Sequence, residues 1–245
     1  MAGQMENKYR VLPPLLKKTA ADSRRWKIGD FLTEGKSVSI SFLNAHAVNI
    51  AVENDNFRDF LMASDYLLRD GIGLKIALLA FHLGETENLN GTDLIPRIIG
   101  QYKDRRIAIW GASGVALAAC RARLEKEGFT NIVSTLHGFL EDDVYVQQCA
   151  QVKPEIVILC MGMPRQELLA RRLAGGQYAG LVICGGGWVD FYSGTKPRAP
   201  LWVRCLSAEW IYRLIKEPKR LGKRYTIDVI RFFYALAQAK SCMRT

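Results

Sequence analysis

Apolar residues along this chain fall into two rhythms that alternate for most of its length. Ser37 to Leu43 is β-branched and apolar, bounded by Gly35-Lys36 and Asn44, which predicts a strand. From His46 to Ala63 the apolar positions, Val48, Val52, Phe57 and Leu61 among them, follow a helical pattern. Asp65 to Arg69 predicts a short strand running into Asp70-Gly71. Ile72 to Leu83 predicts a helix, and Gly91-Thr92-Asp93 the start of another, with Thr92 or Asp93 as its cap. Further on, Ile107 to Trp110 predicts a strand, Gly111 to Gly114 a turn, and Val115 to Lys126 a helix. Strands at Asn131 to Leu136 and Glu155 to Cys160 flank a helix near Asp142 to Gln151. Pro164 to Leu173 predicts a helix, and Gly180 to Cys184 a strand ending in three glycines. Strands alternating with helices predict an α/β fold: a Rossmann-like, doubly wound, mainly parallel sheet.

After Pro200 the strand pattern stops. Leu206, Trp210, Ile211, Leu214 and Ile215 fall on one helical face, and Pro218 limits that helix. Arg224 to Ala239 carries a second helical pattern, with Ile227, Ile230, Phe233 and Leu236 on one side. The chain therefore divides into an α/β domain over residues 1–200 and a basic helical appendage over residues 201–245. Charge sharpens that division. The net charge is +10, and Lys196 to Arg231 holds ten basic side chains against Glu209, Glu217 and Asp228. An apolar stripe with basic flanks suits an anionic membrane surface. It suits packing on the main domain equally well.

The six cysteines form no C-x-x-C pair, and Cys160 and Cys184 sit in apolar runs, which fits reduced thiols in a cytoplasmic protein. Met1 to Trp26 is polar and mixed, with no apolar signal core. No run approaches the roughly 18 apolar residues of a membrane span, so any membrane contact is expected at the surface.

Ligands of open α/β sheets gather at the carboxyl ends of the strands. Asn44, Asp70, Gly111 to Gly114, Gly162 to Glu167 and Gly185 to Asp190 all fall there. The Gly111–Gly114 turn, with Ser113 in it, can bring backbone N–H groups and a helix start to a phosphate. It lacks the third glycine of a dinucleotide fingerprint and has no Walker lysine. Asp70 can take a proton from an attacking hydroxyl or simply cap a helix. Gly162, Pro164, Arg165 and Gln166 suit a pyrophosphate or a sugar hydroxyl, while Glu167 can complement a helix dipole. Glu141-Asp142-Asp143 lacks D-x-D spacing and reads as helix-end electrostatics. His46, His82 and His137 are scattered, so neither a metal nor a cofactor is expected. A nicotinamide-dependent oxidoreductase is disfavoured by the incomplete glycine pattern and by the lack of a ribose-binding acid at Ser134 to His137. A non-catalytic basic module that binds nucleic acid or lipid leaves Asp70, Gln166 and the glycines unexplained.

Taken in order, several segments resemble the WecG/TagA/CpsF glycosyltransferases. They are Phe42-Leu43-Asn44-Ala45-His46, Leu68-Arg69-Asp70-Gly71-Ile72-Gly73, Asn90-Gly91-Thr92-Asp93-Leu94 and Gly162-Met163-Pro164-Arg165-Gln166-Glu167. They continue with Gly185-Gly186-Gly187-Trp188-Val189-Asp190, Arg198-Ala199-Pro200, and the run from Glu209-Trp210 to Arg220. The resemblance implies inverting, metal-independent transfer from a UDP-sugar to a polyprenyl-diphosphate-linked sugar at the inner face of a bacterial membrane. It makes Asp70 the general base with Asn44 beside it and Gln166 a pocket glutamine. Gly186 and Asp190 join the substrate loop, and Arg213, Arg220 and Arg224 meet the diphosphate and assist docking. Relatives also suggest a homo-oligomer, and no nucleic acid is implied. Phe42 stands where TagA-like members have threonine, and Asn88 falls near an expected arginine. With Leu89 to Asp93, these look more like exopolysaccharide, GumM-like members, which favours a neutral donor such as UDP-glucose over an acidic one.

Overall fold

The computed structural model describes residues 8–32, 35–176, 178–206 and 208–243, within which also fall Arg220 and Arg224, whose side chains are not described. Its strands are β1 (Val38–Leu43), β2 (Tyr66–Arg69), β3 (Ile107–Gly111), β4 (Ile132–Leu136), β5 (Ile156–Cys160) and β6 (Leu181–Cys184). All pair in parallel in one sheet of order β2-β1-β6-β5-β3-β4. β3, β5 and β6 are buried throughout, as strands covered on both faces must be.

The helices are α1 (Leu12–Arg25), α2 (Ala45–Glu53), α3 (Asp55–Ala63), α4 (Gly71–Ala80), α5 (Gly91–Ile99), α6 (Gly114–Lys126) and α7 (Asp142–Val152). After them come α8 (Arg165–Gly175), α9 (Trp188–Tyr192), α10 (Leu201–Cys205), α11 (Glu209–Lys216), α12 (Pro218–Tyr225) and α13 (Ile227–Ser241). The strand side chains alternate between two cores. Leu43, Trp110, Leu159 and Cys184 join one that includes α1 to α4, α8 and α13. Phe42, Ile109, Ile158 and Ile183 join the other, under α5, α6 and α9.

Three departures from the sequence pattern have local causes. The segment His46 to Ala63 is two helices, because Asn54 adopts an extended backbone and its side chain accepts from Phe57 N at 2.9 Å, capping a second start. The polar-looking N-terminal stretch contains α1, whose Leu12, Leu15 and Leu16 are fully buried. Its polar residues cover the edge strand β2: Leu67 N donates to Asp22 at 2.9 Å and Arg69 N to Ser23 Oγ at 3.0 Å. At the C-terminus, α13 buries Phe232, Ala235, Leu236 and Ala239, whereas Ile227, Ile230 and Phe233 of the expected stripe stay exposed. The pattern holds two apolar faces, and packing against α2 selects one of them.

Cys120, Cys149, Cys160 and Cys184 are buried free thiols, and burial alone pushes Cys149 up to about 11.

Candidate active site

β1 and β2 run in register with Leu43 opposite Arg69, so the residues that follow, Asn44 and Asp70, leave the sheet side by side. Asp70 N donates to Leu43 O at 2.9 Å, and Asn44 Nδ2 donates to Asp70 Oδ2 at 3.3 Å. Asn44 Oδ1 accepts from Ala47 N at 3.0 Å and caps α2. Asp70 stands at the cap position of α4, yet its side chain makes no capping bond. The neighbouring N–H, that of Gly71, donates instead to Asn88 Oδ1 at 2.8 Å. Two helices thus begin at this pair, and their dipoles favour a carboxylate there. Beneath it Arg69 is buried and donates to Gly71 O, Thr86 O and Glu87 O, fastening the loop before α5. Burial lowers the Arg69 pKa, while the charges of Asp70 and Glu85 oppose that shift.

The glycine turn after β3 is sterically required. Gly111 has φ +126°, and a Cβ there would lie 2.2 Å from the Cys160 carbonyl carbon. Ser113 is already engaged as the cap of α6, accepting from Ala116 N at 3.2 Å. Gly138 N closes on Ala112 O at 2.9 Å, and the next residue, Phe139, is strongly exposed (80 %) with its ring against His137.

Gln166 and Glu167 are fully buried. Gln166 Oε1 accepts from Gly162 N at 3.3 Å and Gly186 N at 3.0 Å, so its amide ties the loops after β5 and β6 together. Gln166 Nε2 donates to Glu167 Oε1 at 2.8 Å, and Glu167 Oε2 has no hydrogen-bond partner. Burial pushes the Glu167 carboxyl up to about 7, against the Gln166 hydrogen bond. Pro164 holds the cap position of α8, and Arg165 is tied to Asp142 Oδ1 at 3.0 Å and Gly138 O at 2.7 Å.

The basic segment reaches this same carboxyl edge. Lys196 pairs with Asp190 at 2.7 Å, and Arg198 and Arg204 reach Asp93 Oδ1 at 2.6 and 3.3 Å. Burial raises the Asp93 pKa, but bonds from Arg198 and Asn90 and both arginine charges outweigh it, leaving a net lowering. The Arg213 guanidinium lies over the Phe191 ring at 5.2 Å. Arg198 Nε and Nη2, Arg204 Nε and Arg213 Nε are buried donors with no acceptor, a set that an anion would satisfy. A cavity of about 160 Å³ has Arg213 in its lining, with Phe191, Lys196, Tyr212, Lys216 and the acidic Glu217. A larger groove, about 480 Å³, lies at the opposite end of the strands against Ser37, Ser39 and Asp65, away from the Asn44–Asp70 pair.

The glycosyl transferase WecG/TagA/CpsF family description matches residues 16–244. The chain belongs to that family. It is accordingly a glycosyltransferase. An N-acetylglucosaminyldiphosphoundecaprenol N-acetyl-β-D-mannosaminyltransferase of Staphylococcus aureus strain MW2 is 28 % identical over 205 residues, covering 80 % of this chain and 78 % of the relative. The same-named protein of strain MRSA252 matches at the same identity and coverage. Among the described residues no group of three or more His, Cys, Asp or Glu side chains could hold a metal, and no helix is long and apolar enough to cross a membrane. Sequence pattern alone does not mark Arg69, Asp93 or Arg204 as candidate site residues. Arg204 was visible only as one charge of the basic tail, and Arg69 is placed by a loop that no local pattern predicts.

Proposed function

We propose that the protein transfers a hexose or N-acetylhexosamine from a UDP-sugar to a polyprenyl-diphosphate-linked sugar, with inversion and without a metal. The observation that carries this reading is the Asn44–Asp70 pair, a carboxylate oriented by an amide at the start of two helices and spared the capping duty of its position. Asp70 takes the proton of the acceptor hydroxyl as the oxygen bonds to the anomeric carbon. The bond from that carbon to the UDP oxygen breaks on the opposite face. Charge gathering on the departing diphosphate needs fixed donors. The buried N–H groups of Arg198 and Arg204 supply them, together with the start of α6 after the Gly111–Ser113 turn. Phe139, strongly exposed and next in the chain to Gly138, offers the uracil a stacking face.

N-acetylmannosamine and an N-acetylglucosaminyl-diphospho-polyprenol are the first donor and acceptor to test, following the relatives' names. Glucose follows, on the Phe42 and Asn88 wording. Leu201, Trp202, Leu206 and Ile215 are each about 70 % exposed among basic side chains, which supports peripheral docking on an anionic membrane. The test is UDP release from a panel of UDP-sugars in EDTA, with and without a short-chain lipid-linked acceptor. Acceptor-dependent release that falls at least 100-fold in Asp70→Asn is expected. Release that needs a divalent cation, or an unchanged rate in Asp70→Asn, would overturn the mechanism.

A further inference from the structure

The basic segment is fastened at both of its ends, besides the Arg213–Phe191 contact and the buried Leu221 between them. At its start Arg198 and Arg204 hold Asp93. At its end Asp228, in the first turn of α13, meets α2. His46 Nδ1 lies 3.2 Å from Asp228 Oδ2, and Asn49 Nδ2 donates to Asp228 O at 2.7 Å. A carboxylate oxygen can only accept, so the imidazole carries a proton on Nδ1 in this contact. Between the two fastenings, α11 buries no residue.

This joint lies close to the proposed base. His46 is in the first turn of α2, the helix capped by Asn44. One turn beyond Asp228, Phe232 is buried against Gly73 of α4, the helix that begins after Asp70. A Cβ on Gly73 would meet Ala45 Cβ at 3.2 Å and the Phe232 ring at 3.7 Å, so α2, α4 and α13 converge tightly there. The apolar face of Phe232, Ala235, Leu236 and Ala239 already holds α13 to the core. What the His46–Asp228 contact adds is control of the first turn, beside the helix break at Thr226 (φ −114°, ψ −78°), where α12 departs.

We propose that His46 is a positioning residue: through Asp228 it sets the direction in which α11 and α12 leave the core, and so where the acceptor diphosphate sits relative to Asp70. The proposal rests on the reading of Asp70 as base and of Arg213, Arg220 and Arg224, on α11 and α12, as ligands of the acceptor diphosphate.

The experiment compares full-length wild type, His46→Ala, Asp228→Ala, the double variant and His46→Asn, whose Nδ2 can occupy the place of the imidazole Nδ1. Steady-state UDP release gives separate constants for donor and acceptor, and hydrogen exchange follows residues 209–225. Each alanine variant should raise the acceptor KM about tenfold, the size of one lost charge-assisted contact, and leave the donor KM within twofold. The double variant should be no worse than either single one, His46→Asn should recover most of the loss, and exchange in α11 and α12 should quicken. An unchanged acceptor KM in an active His46→Ala enzyme, additive losses in the double variant, or a fall in kcat alone would overturn the proposal. A wild type without acceptor-dependent release would instead remove the functional reading on which it stands.

Discussion

Replacing Glu167 by glutamine should make the protein more stable above neutral pH and leave it nearly unchanged in acid. The Glu167 carboxyl is fully buried and receives one hydrogen bond, from Gln166 Nε2, while its second oxygen has no partner. Its folded pKa, about 7, lies above the ordinary value of 4.5 that applies in the unfolded chain. The group's contribution is therefore fully present below about 4.5 and is lost as pH rises through 7, because the folded state must then hold a buried anion. The difference corresponds to about 3 kcal/mol once ionisation is complete. Glutamine keeps an acceptor for Gln166 and never ionises. Its NH₂ takes the place of the protonated acid's O–H, which also finds no partner, so the two forms are matched in acid. Denaturant unfolding of wild type and Glu167→Gln at pH 4, 7 and 8.5 measures the gap. It should be near zero at pH 4 and reach about 3 kcal/mol in favour of the variant at pH 8.5. A gap that does not change with pH, or a less stable variant at pH 8.5, would refute the reasoning.

Gly111→Ala should destabilise by several kcal/mol or abolish soluble expression, since its Cβ would stand 2.2 Å from backbone that cannot move aside; a thermal melt beside Gly114→Ala, where nothing lies within 4 Å, isolates the effect. Asp22→Ala should cost about 1–3 kcal/mol by leaving the Leu67 N–H of the edge strand without its acceptor, read as a lower denaturant midpoint. Asn88→Ala should lower kcat roughly tenfold with little change in melting temperature, because it loosens the Gly71 N–H beside the proposed base and touches little of the core; an unchanged kcat would count against that role.

The arrangement of strands and helices was legible because it depends on periodicity, which is local. β3, β5 and β6 are continuous apolar runs, as strands buried on both faces must be, and the turns at Gly111 and Gly185 follow from their glycines. The carboxyl-end rule then brings Asn44, Asp70 and the glycine loops to one edge from strand order alone. The same reasoning could not separate capping from catalysis at Asp70. The absence of a capping bond from Asp70 shows only in the folded chain, where Asn88, 18 residues further on, occupies the Gly71 N–H and Arg69 holds the adjoining Thr86 and Glu87 carbonyls. Nor could it assign Gln166, whose side chain is spent on two loop N–H groups that come from different strands.

Local sequence thus determined which segments are strands and helices, and where along each one the chemistry-bearing residues stand. Only the tertiary structure decided which of them meet. Asp93 with Arg198 and Arg204, and His46 with Asp228, lie roughly 100 to 180 residues apart in the chain. The face of α13 that is buried was likewise chosen by packing. Two apolar stripes of the helix were available, and the one that fills the space over Ala45 and Gly73 buries the Phe232 ring. Hydrophobic period specifies that a face must be covered; shape complementarity with a distant element specifies which.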